Sequence, residues 1–92
     1  MKVMKKPIKG EAVTIRYNDA TIQSTCSEVV DVPHKGPDAA RFVILSKEKF
    51  GNGRQAYFMQ EGAEAGMIIE SVITDERERK NRVTFYGLFP AN

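Results

Sequence analysis

Eight aromatic side chains, three tyrosines and five phenylalanines, and 14 lysines and arginines are the chemically expressive residues of this 92-residue chain. Tyr57 and Tyr86 are the most informative, because each has a phenylalanine for a neighbour, Phe58 and Phe85. In an extended chain successive side chains point to opposite faces, so phenylalanines directed inward send both tyrosines outward. Outward tyrosines near Arg16, Arg54 or Arg82 form a surface on which nucleic-acid bases could stack beside cations. Tyrosine and arginine are equally the residues that protein interfaces favour, so a docking role stays open beside the nucleic-acid one.

Acid–base or nucleophilic catalysis needs paired groups, and the sequence offers none. His34 is the only histidine and sits between Pro33 and Lys35, a loop context without metal-ligand partners. Cys26, the only cysteine, shares the inward phase of its segment with Ile22 and has no base near it in sequence, which makes it a packing residue. Glu61, Glu64 and Glu70 are too loosely spaced for a ligand set. Gly51, Gly53 and Ala56 match the letters of a dinucleotide-binding fingerprint, but no helix can begin there and the chain is too short for that fold. The expectation is a non-enzymatic binding protein with no catalytic residues, cofactor or metal.

Charge is distributed unevenly. Lys2, Lys5, Lys6 and Lys9 stand in the first ten residues with no acid among them, leaving ten basic against 12 acidic side chains in the other 82. Any attraction to phosphate must therefore come from local patches. One is the amino-terminal arm. The other is Arg77, Arg79, Lys80 and Arg82, within a stretch DERERKNR that carries seven charges in eight residues. The segment 61–78 is its counterpart, where six acids face one arginine, and a protein partner could dock there.

The elements that must position these residues read as strands. Met67, Ile69 and Ile73, then Val83, Phe85 and Phe89, keep a two-residue period on either side of the charged stretch, predicting a hairpin over 67–89 with an exposed tip at 75–82. Val13, Ile15 and Tyr17 alternate with Thr14 and Arg16, and after Asn18-Asp19 the alternation resumes at Ala20, Ile22 and Cys26. This predicts a hairpin over 12–32, with Val29, Val30 and Val32 extending or bending its second arm and Pro33 ending it. PHKGPD is a loop. Phe42-Val43-Ile44-Leu45 resembles a buried strand, and Gly51-Asn52-Gly53 suits a tight turn, predicting a second hairpin over 41–60. EGAEAG, 61–66, breaks or bulges the chain, and Gly87 marks a sharp bend or a close neighbour.

Six or seven short strands in a chain this short predict one all-β domain over 11–92, preceded by a basic flexible arm over 1–10. A small antiparallel barrel or half-open sheet, OB-like or SH3-like, fits the spacing. The alternative is α+β, with one helix near 38–50 between Pro37-Asp38 and Gly51. The longest apolar run, Phe42 to Leu45, is far below the roughly 18 residues of a membrane span, and no apolar signal core follows the lysines. With one unpaired cysteine this points to the cytoplasm. The expected function is nucleic-acid binding, single-stranded before duplex, through Lys5, Lys6, Lys9, Arg16, Arg54, Tyr57, Arg77, Arg79, Lys80, Arg82 and Tyr86. The alternative is a small adaptor or inhibitor of a protein partner. A homodimer through a sheet edge is a further expectation.

Overall fold

The computed structural model describes residues 5–89. They form six strands, β1 Ala12–Tyr17, β2 Ala20–Asp31, β3 Ala39–Ser46, β4 Gln55–Gln60, β5 Ala63–Asp75 and β6 Lys80–Leu88, with one 3₁₀ turn at Pro33–Lys35. The strands close into a barrel in the order β1-β2-β3-β6-β5-β4, with every neighbouring pair antiparallel. The protein is thus all-β, and residues 39–46 are strand rather than helix. Among the described residues no helix is long and apolar enough to cross a membrane.

Two three-stranded meanders, β1-β2-β3 and β4-β5-β6, make up the barrel, and residues 47–54 carry the chain from one to the other. This corrects the expected hairpin over 41–60. β3 pairs with β2 and β6, and β4 pairs with β1 and β5, so the two never meet. The turn at Gly51-Asn52-Gly53 does form, with Arg54 N–H donating to the Gly51 carbonyl at 3.1 Å. It turns the chain inside a crossover, however, and turn chemistry cannot say which strands will pair. The first hairpin turn of the second meander is Glu61-Gly62, between the paired residues Gln60 and Ala63, with φ of +48° and +81°. The glycine makes the second of these positive angles inexpensive. The supposed break at 61–66 is therefore two turn residues followed by strand.

Asn18-Asp19 joins β1 to β2 as expected, with Asn18 at φ +54°. At the β5–β6 turn the Asp75 carboxylate accepts the backbone N–H groups of Arg77 and Glu78 at 3.0 and 3.2 Å, fixing the loop between Asp75 and Lys80.

Two β-bulges decide which side chains enter the core. In β5 the register shifts between Ile69 and Ser71, so Met67 and Ile69 are buried while Val72 turns partly inward and Ile73 is 60% exposed. The expected inward phase of Ile73 fails because the extra residue, Glu70, reverses the alternation beyond it. In β2 a shift between Cys26 and Glu28 does the same, packing Val29 against the core and exposing Val30.

Six of the eight aromatics fill the interior: Tyr17, Phe42, Phe50, Phe58, Phe85 and Phe89. Phe42 stacks on Phe85 at 5.2 Å and meets Phe58 edge-on at 5.6 Å. Phe50, from the crossover, packs on Tyr17 and Phe85, and Phe89, beyond β6, packs on Phe42 and Phe58. Tilted and edge-on pairs of this kind add about 0.5–1.5 kcal/mol each to the burial itself. Gly87 faces inward, where an added Cβ would lie 3.1 Å from Met67 Cγ and 3.5 Å from the Phe89 ring, so its role is close packing. Cys26 is buried as expected, and burial pushes its thiol pKa up.

Residues 5–10 of the arm lie against the barrel. Pro7 is buried, Lys6 is ion-paired with Asp31, and Gly10 and Glu11 exchange backbone hydrogen bonds with Cys26 at 2.8 Å. Lys2 lies outside the described residues.

Candidate functional site

Strand register alone places the outward tyrosines. Tyr57 on β4 lies between Arg16 on β1 and Gly66 on β5. One step along, Gln55, Ile68, Tyr86 and Arg41 form a row across β4, β5, β6 and β3. All belong to the phase opposite the buried Phe58, Met67, Phe85 and Phe42, so one outer face of the barrel carries both tyrosines. Two strand spacings and a two-residue offset put their Cα atoms about 12 Å apart.

A shallow groove of about 240 Å³ lies on this face, lined by Gln55, Gly66, Ile68, Tyr86, Gly87 and Leu88, with Met67 beneath. Gly66 supplies the dip, because it offers no side chain between Tyr57 and the Ile68–Tyr86 row. Ile68 and Leu88 add apolar surface, at 44% and 53% exposure.

Cations bracket the rings. The Arg16 guanidinium carbon is 4.3 Å from the Tyr57 centroid, and Lys35 Nζ is 4.9 Å from that of Tyr86. Carboxylates hold them in place. Glu64 accepts from Arg16 Nη2 at 3.0 Å. Glu70, the bulge residue of β5, accepts from Arg41 and lies 3.8 Å from Lys35 Nζ. The Arg41 hydrogen bonds hold the Glu70 carboxyl below its ordinary pKa against an opposing effect of partial burial, and Glu70 in turn pushes the Arg41 pKa up.

The structure therefore joins Arg16, Tyr57 and Tyr86 on one face, with Arg54 at the end of β4 beside Gln55. It does not gather the others there. Lys5 bonds through its backbone to Gln60, and Lys6 and Lys9 line a separate groove with Glu28 and Asp31. Arg82 is committed to Glu28 at 2.7 Å. Arg77 is exposed at the β5–β6 turn, Lys80 stands opposite Asp75, and Arg79 turns toward the crossover. The basic tip expected from sequence is consequently divided, with Arg82 and Arg79 drawn to different neighbours.

Lys35, Arg41 and Ile68 join this face without being among the residues the sequence points to. Arg41 had a usable signal, since it precedes the inward Phe42 and must face out. Its place beside Tyr86 depends on β3 pairing with β6, residues far apart in the chain. Among the described residues no group of three or more histidine, cysteine, aspartate or glutamate side chains is placed to hold a metal ion. Compared with known protein families, curated proteins and solved structures, the chain matches none.

Proposed function

We propose that this protein is a small cytoplasmic, non-enzymatic module that binds single-stranded nucleic acid across the outer face of β4, β5, β6 and β3. The observation that carries this is the pair of half-exposed tyrosines, Tyr57 and Tyr86, on either side of the Gly66 groove, each with a cation against its ring. Bases stack on aromatic rings and on guanidinium planes alike, while nearby cations attract the phosphates. A duplex presents its bases edge-on and stacked, so a flat aromatic face favours the single strand.

Docking of a protein partner draws support from Ile68 and Leu88, exposed apolar residues on this same face. The acidic stretch 61–78 supports it less than its composition suggests. Glu64 and Glu70 are already paired with Arg16, Arg41 and Lys35, and Asp75 caps its own turn.

Fluorescence anisotropy with labelled single-stranded and duplex oligonucleotides tests the proposal. The expected result is tighter single-strand binding, quenching of tyrosine emission, and a loss of roughly tenfold or more on replacing either Tyr57 or Tyr86 by leucine. No binding at low salt, where charge attraction is strongest, would overturn it and leave the protein-partner role.

A further inference from the structure

A second groove, of about 340 Å³, lies between the crossover and β5, lined by Lys47, Lys49, Phe50, Val72, Thr74, Arg79 and Asn81. It exists because β5 runs on past the end of β4. Ala63 to Gly66 pair with β4 alone, Met67 and Ile68 pair on both sides, with β4 and β6, and Ile69 N–H still donates to the Arg54 carbonyl at 2.9 Å. Glu70 bulges out of the ladder, and from Ser71 to Asp75 only β6 pairs with the strand. The crossover passes this half-open edge without closing on it, and the gap is the groove.

The groove is built on fixed parts. Phe50 is anchored in the core, and Asn81, 8% exposed, donates to the Glu48 carbonyl and accepts from the Thr74 hydroxyl, each at 2.8 Å. Those polar groups are satisfied by one another. The charged donors left to a ligand are Lys47, Lys49 and Arg79, all exposed, none in an ion pair among the described residues, and no carboxylate lines the groove. Glu48, between the two lysines in sequence, accepts from the Ser46 hydroxyl instead. Several other cations lack this freedom, since Lys6, Arg16, Lys35, Arg41 and Arg82 each hold an acid.

An anion is what three unpaired cations around a satisfied floor recognise. A second copy of this chain pairing along the open β5 edge would bring six such cations together, so the charge disfavours self-association there. A path also connects this groove to the tyrosine face. Arg54, exposed and in no ion pair among the described residues, sits between them, beside Ile69 through its carbonyl and next to Gln55, which faces Ile68. From Ile68 to Thr74 the strand rises about 20 Å, a fitting length for a module of this type that covers roughly 4 to 16 nucleotides.

We propose that this groove holds backbone phosphates of the same single strand whose bases stack on Tyr57 and Tyr86, with Arg54 between the two contacts. This assignment rests on the strand-binding role proposed above and extends it by a second contact that only longer strands reach. Phosphates held here dominate the salt dependence, whereas the tyrosine face supplies the stacking.

The test uses the full chain with oligothymidylates of about 4 and about 12 nucleotides over a range of salt, read by anisotropy and tyrosine emission. In the wild-type protein the longer strand should bind more tightly and with the steeper dependence on salt. In the variant K47Q/K49Q/R79Q its affinity should fall at least about tenfold at low salt, and the slope of log K against log salt should flatten by about one to two. The short strand and its tyrosine quenching should be unchanged. R77Q, at the exposed turn, should bind both strands as the wild type does. An unchanged long-strand slope in a folded triple variant would overturn the assignment, as would an equal loss of short and long binding. Wild-type protein that binds neither strand would instead remove the strand-binding role itself.

Discussion

Glu70 on β5 reaches across β6 to accept two hydrogen bonds from Arg41 on β3, at 2.5 and 3.3 Å, with Tyr86 on the strand between them. The bulge that reverses the burial pattern of β5 also makes this bridge, since Glu70 is the extra residue that stands out from the ladder. One local irregularity thus exposes Ile73 and positions the cations around Tyr86.

The bridge predicts a pH dependence. The Glu70 carboxyl is held below its ordinary pKa by Arg41, so it contributes stability in full above the unfolded value of about 4.3 and loses it as pH falls through the lowered folded value. Melting temperature followed from neutral to acid pH should drop less steeply below about 4.3 in Glu70→Gln than in the wild type. Parallel acid limbs in the two proteins would refute the bridge.

Gly66 should be replaceable without harm to the fold. A Cβ there meets only the end of the Gln55 side chain at 3.0 Å and the Tyr57 ring at 3.9 Å, and valine suits an extended strand. Gly66→Val should keep the unfolding free energy within about 0.5 kcal/mol of the wild type yet weaken single-strand binding by filling the dip between the tyrosines. Undiminished binding in this variant would place the contact elsewhere.

At Gly87 the opposite holds. Valine there would push into Met67 Cγ, 3.1 Å from the first added carbon, and toward the Phe89 ring, both in a filled core. Gly87→Val should cost about 1–3 kcal/mol in urea unfolding, typical of overpacking. A wild-type midpoint would show that the barrel is loosely packed at this point.

Cys26 should resist a soluble thiol reagent in the native protein and react promptly in denaturant, because it is 1% exposed and burial disfavours its thiolate. Native labelling as fast as that of the unfolded chain would contradict its place in the core.

Much of the strand content follows from local pattern. Val13, Ile15 and Tyr17, and likewise Val83 and Phe85, enter the core because a two-residue period needs nothing beyond an extended backbone. The same period, anchored by Phe58 and Phe85, is enough to turn Tyr57 and Tyr86 outward. What stands opposite them is settled at long range. That β3 lies beside β6 and β4 beside β1 depends on closing the barrel over distant segments, and Asn52-Gly53 makes the same local turn whether or not its flanking strands pair. The bulges at Ser27 and Glu70 leave no mark in the alternation except the position it then misassigns, Ile73. Partners for the cations are likewise a tertiary matter. Lys47 and Lys49 carry no distinguishing signal in the sequence, and Arg82 reads as part of a basic tip, until the fold places Glu28 beside Arg82 and leaves the two lysines on the rim of a groove, in no ion pair among the described residues. The chain specifies how many charges it carries, but which of them remain free depends on distances between strands that only closure of the barrel sets.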